Sequence, residues 1–81
     1  MTPGKDEVVL TRVLNRVTGV DQLLLIHPND MAEDEALAQM NEGFDLSLYE
    51  RESTKRMSHW LDRLGGDPGH TYVVFRRVAQ P

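Results

Sequence analysis

Residues 53–65, Ser-Thr-Lys-Arg-Met-Ser-His-Trp-Leu-Asp-Arg-Leu-Gly (STKRMSHWLDRLG), carry the most regular pattern in this chain. Met57, Trp60, Leu61 and Leu64 stand at i, i+3, i+4 and i+7, the spacing that lines one face of a helix. Ser53 suits an N-cap and Gly65 a helix stop. The spacing predicts a helix over 54–64 whose Met57/Trp60/Leu61/Leu64 ridge seals the interior.

Working outward, Gly19, Gly43 and Gly65-Gly66 each follow a helix-compatible segment and precede a short apolar run. A second helix is predicted over 31–42. Asp30 with Glu33 gives a capping-box-like start, and the acids of the first turn suit the positive end of the helix dipole. Three strands are predicted. Gln22–His27 (QLLLIH) is nearly all apolar, as in a strand covered on both faces. Residues 44–49 alternate, as in a half-buried strand. Residues 71–78 (TYVVFRRV) are rich in β-branched and aromatic side chains. Residues 6–18 read two ways. Val9, Val13 and Val17 with Leu10 and Leu14 make a helical stripe, the preferred reading, while the Val and Thr content favours a strand paired with Gln22–His27. The expected fold is an α/β (α+β) two-layer sandwich: an N-terminal helix, then strand-helix-strand-helix-strand, on a small three- or four-stranded sheet whose strand order and direction the sequence leaves open.

Eighty-one residues make one small domain, 1–81, with 1–5 and 79–81 as tails. The absence of Cys removes thiol catalysis and thiolate metal sites. No apolar run approaches the ~20 residues of a membrane span, and the N-terminus has no signal-peptide pattern, so a cytoplasmic protein with no membrane partner is expected. His27, His59 and His70 lack metal-ligand spacing, and neither a metal nor another cofactor is expected. The formal net charge of −4 divides unevenly. Residues 1–50 hold three basic and ten acidic side chains, and residues 51–81 hold six basic and three acidic ones.

Residues 36–65, ALAQMNEGFDLSLYERESTKRMSHWLDRLG, resemble the sulfur-carrier proteins of the TusA/SirA type. The matching positions are Ala36, Leu37, Met40, Gly43, Leu46, Leu48, Met57, Trp60 and Gly65, with TYVVFRR similar to that family's last strand. The resemblance implies its fold. Its sulfur chemistry needs a Cys-Pro-x-Pro motif, where this chain has His27-Pro28-Asn29-Asp30, and an imidazole cannot carry a persulfide.

No catalytic constellation emerges. In a parallel sheet, His27, Asn29 and Ser53 would meet Arg76 and Arg77 along one edge, beside two helix N-termini, forming an anion-binding corner. Arg51, Lys55, Arg56 and Arg63 would share a basic helix face near Trp60, but a pI of ≈ 5.2 disfavours nucleic acid. The preferred function is a non-enzymatic regulatory or adaptor protein that binds another protein. Asp30, Glu33, Asp34 and Glu35 would be the contact, an acidic phage- or plasmid-type inhibitor of a basic, nucleic-acid-binding partner being one form. Self-association into a homodimer also fits, because a short sheet leaves edges to cover. The alternative is a degenerate sulfur-carrier-like domain or a small anion-binding protein.

Overall fold

The computed structural model describes Gly4, residues 6–40, Gly43 and residues 45–78. In chain order these form β1 (Val9–Leu14), β2 (Asp21–Pro28), α1 (Glu33–Met40), a 3-10 turn (Leu46–Leu48), β3 (Tyr49–Met57), a second 3-10 turn (Trp60–Leu64) and β4 (His70–Arg77). The four strands make one sheet in the order β1-β2-β4-β3. Every neighbouring pair is antiparallel. Two hairpins, β1–β2 and β3–β4, are therefore joined through the β2–β4 ladder. The segment carrying α1 links β2 to the far edge strand.

This corrects the expected strand-helix alternation in three places. Residues 6–18 hold no helix: Val9–Leu14 pairs with Asp21–Ile26. The physical reason lies in β2. Its buried backbone needs a hydrogen-bonded neighbour on each side, which a helix could not supply. At the loop between them, the Asn15 side chain accepts from the Val17 and Thr18 N–H groups at 3.0 and 3.2 Å. Gly19, at φ 74°, completes that loop rather than stopping a helix.

The strand expected over 44–49 is replaced by the first 3-10 turn. Asp45 caps it, accepting from the Ser47 N–H at 3.1 Å, and Leu46 packs against the core. Phe44 lies outside the described residues.

The helix over 54–64 is the largest correction. Residues 49–57 are edge strand β3, and only Trp60–Leu64 turns, as a 3-10 segment. Ser53 lies inside the strand, and the cap of the turn is His59, whose Nδ1 accepts from the Leu61 N–H at 3.1 Å. Gly65 does end the turn, in the left-handed region at φ 74°. The predicted ridge is not core: Trp60 is 70% exposed and Leu64 75%. Strand β4 again explains the outcome. With β2 on one side only, its other edge would be bare. Pairing with β3 satisfies it, and tertiary pairing overrides local helical spacing.

Strand direction, left open by the sequence, is antiparallel throughout.

The helix predicted over 31–42 is present as Glu33–Met40; residues 41 and 42 lie outside the described residues. It covers one face of the sheet. Its Ala36 joins Leu23, Leu25, Val73 and Phe75 of the sheet in the core, and Val8, Leu10, Met31, Leu37, Leu46 and Tyr49 pack around them. The shortest dimension, 18 Å, has room for one sheet and one helix of about 10–12 Å diameter. Residues 1–3, 5 and 79–81, most of the expected tails, lie outside the described residues. Gly4 is anchored, its carbonyl accepting from His70 Nε2 at 2.9 Å. Among the described residues, no helix is long and apolar enough to cross a membrane.

Candidate functional site

Side chains alternate across a strand, and partners in an antiparallel register share a face. Leu23, Leu25 and His27 of β2 meet Phe75, Val73 and Thr71 of β4 on the helix side. Leu24 and Ile26 meet Val74 and Tyr72 on the other face. There Val9, Thr11 and Val13 of β1 flank them on one side, and Ser53, Lys55 and Met57 of β3 on the other. Leu24, Ile26, Tyr72 and Val74 are only half-buried, while Leu23, Leu25 and Val73 are fully enclosed. Among the described residues, no helix or strand lies over this second face; only its Pro28/His70 end is covered, where Gly4 bonds His70 and both Pro28 and His70 are buried. Val13 and Met57 on it are 47% and 46% exposed. Leu24, Ser53, Lys55, Met57, Tyr72 and Val74 line a shallow groove of about 360 Å³ across it.

The rim is charged. Glu50 and Arg76 stand opposite each other in the strand register at one end, and Lys55 lies beside Tyr72 towards the other. Gln22 reaches across β4 to donate to the Glu52 carboxylate at 2.9 Å. Glu52 falls at the β-bulge between Arg51 and Ser53. A bulge and a charged sequence blunt β3 as an edge for further strand pairing.

The acidic block stays together at the start of α1. Asp30, Asp34 and Glu35 are exposed, and Glu33 bonds Arg51 of β3. The anion corner does not assemble. His27 is buried near one end of the sheet, its Nδ1 donating to the Pro28 carbonyl at 2.9 Å. The Asn29 amide is engaged, donating to the carbonyls of Met57 at 3.1 Å and Pro68 at 2.7 Å. Its oxygen accepts from the Thr71 hydroxyl at 2.6 Å. Asn29 thus ties the β2 end to the β3–β4 connection. Ser53 is in mid-strand on the open face. Arg76 and Arg77 occupy the opposite end of β4 from Thr71, as the antiparallel register requires. The basic helix face also disperses: Lys55 lies on the open face, Arg51 and Arg56 on the helix side and Arg63 in the second 3-10 turn.

One ionic cluster went unforeseen. Asp21 is buried at the start of β2 and accepts from Arg12 at 2.9 and 2.7 Å and from the Tyr49 hydroxyl at 3.3 Å. Arg77 stands 3.6 Å away. The hydrogen bonds from Arg12 lead in holding the Asp21 carboxyl below the usual carboxylate range, against the opposing effect of burial. Every partner is accounted for, so this is a structural clamp joining β1, β2, β3 and β4. Among the described residues, no group of three or more His, Asp or Glu side chains could hold a metal ion.

No protein-family model, curated protein or solved structure matches the chain.

Proposed function

We propose that the protein is a small, non-enzymatic regulatory or adaptor domain that acts by binding protein through the open face of its sheet. One observation carries this reading. An antiparallel sheet covered on one side ordinarily alternates apolar-in and polar-out. Strands β2 and β4 do not: Leu24, Ile26, Tyr72 and Val74 face away from the core and are half-buried. A contiguous apolar patch with a polar rim is how protein contact surfaces are recognised.

The experiment is site-specific photo-cross-linking in the native host. A benzophenone side chain replaces Thr11, exposed on the open face, or Asp34, exposed on α1. Adducts from position 11 and none from position 34 are expected. Position 11 giving no adduct contradicts the reading.

A second reading assigns contact to the acidic block, as in an acidic inhibitor of a basic, nucleic-acid-binding partner. The exposure of Asp30, Asp34 and Glu35 together favours it. Adducts from position 34 alone would establish it in place of the first, and reversing Asp34 and Glu35 to Lys should then abolish them.

A further inference from the structure

We propose that the occupant of the open face is a second copy of this chain, packed sheet on sheet. This rests on the binding reading above and names its partner. Two sheets packed face to face keep their strands within about 30° of alignment. The two-fold axis between identical sheets then runs either along the strands or across them.

Charge selects the second. Among the described strand residues, the ionic side chains on this face are Glu50, Glu52, Lys55 and Arg76, two of each sign, while the chain as a whole carries −4. Acid and base lie at opposite ends of one edge strand: Glu50 is level with Arg76, and Lys55 is level with Tyr72 four residues away along β4. An axis across the strands at the level of Leu24 and Val74 lays β3 over its own copy in reverse. Each Glu50 then opposes the other copy's Lys55, twice per dimer, and Arg76 approaches the ring of the other Tyr72. Leu24 and Val74 meet their own copies at the centre. An axis along the strands would set β3 over β1, where Val9, Thr11 and Val13 offer no charge.

The area suffices for a reversible dimer. Four strands about 4.8 Å apart and about 25 Å long present roughly 500 Å² a side. The total of about 1,000 Å² sits at the lower limit for a specific interface.

Sedimentation velocity from about 10 μM to 1 mM tests this with wild type, Glu50→Lys, Lys55→Glu and the double swap, each checked for fold by circular dichroism. Glu50 and Lys55 are exposed, so the swaps spare the core. The wild type should pass from 9.2 kDa to twice that mass as concentration rises. Each single swap sets like charges opposite each other and should weaken association about tenfold or more. The double swap should restore it. General charge repulsion predicts otherwise, because Glu50→Lys lowers the net negative charge and would then strengthen association. A wild type that stays monomeric to 1 mM overturns self-pairing, as does a dimer indifferent to the swaps. If the chain is monomeric and position 11 cross-links to a different protein, self-pairing fails while the binding reading stands. If position 11 also gives no adduct, both fail.

Discussion

Replacing Leu25 by Ala should cost far more stability than replacing Trp60 by Ala, although Trp is the larger side chain. Leu25 is fully enclosed. On its face of the sheet it lies between Leu10 of β1 and Val73 of β4, with Ala36 of α1 in the same core. Ladder-bonded strands on both sides resist collapse into the space left behind. Leu-to-Ala losses of this type run about 2–5 kcal/mol, and the rigid surroundings place this one at about 3–4 kcal/mol. A domain of this length holds only about 4–12 kcal/mol in all. Each kcal/mol moves the Tm of a domain this size by about 4–8 °C, so a fall of roughly 12–30 °C is expected. Trp60 is 70% exposed, and its removal should fall within about 0.5 kcal/mol of neutral. Urea titration followed by circular dichroism measures both, since the Trp60 variant has no Trp fluorescence. A Trp60→Ala loss of 3 kcal/mol or more with a neutral Leu25→Ala would refute the sheet and restore the helical ridge.

Two further outcomes follow from the backbone and the ionic clamp. Gly69→Ala should destabilise by at least about 2 kcal/mol, because Gly69 sits at φ 88° and a Cβ there would lie 2.1 Å from the Met57 carbonyl oxygen; a neutral result in thermal melts would contradict the close approach of the chain at that point. Asp21 titrates below its unfolded value of about 3.9, so its contribution is present above that pH and lost as pH falls through the depressed folded value. Asp21→Asn should therefore flatten the fall in stability on acidification below about pH 5, and unchanged acid sensitivity would count against the clamp.

Local features were legible in the sequence where a short segment decides its own structure. The helix over Glu33–Met40 follows from its acidic start and its thin Ala36/Leu37/Met40 stripe, and QLLLIH and TYVVFRR follow from their apolar and β-branched content. What could not be read was pairing. YERESTKRM has no strand alternation of hydrophobicity, because as an edge strand it is mostly exposed on both faces. It is a strand because β4 needs it. The Met57/Trp60/Leu61/Leu64 spacing is a coincidence of a strand end and a 3-10 turn. The near-continuous apolar run of β2 suggested cover on both faces, and the structure covers one. That difference is the origin of the open face, which sequence reading placed nowhere. The acidic block stayed together because one turn holds it. The anion corner depended on strand direction, and the direction is antiparallel.

The division of β2 and β4 into an enclosed face and an open one is best measured by methyl NMR at low concentration with a gadolinium chelate in the solvent. Methyls of Leu24, Ile26 and Val74 should broaden strongly, and those of Leu23, Leu25 and Val73 should be spared. Equal protection of both sets in the monomer would mean that another part of the chain covers the face, and the proposed contact surface would be gone.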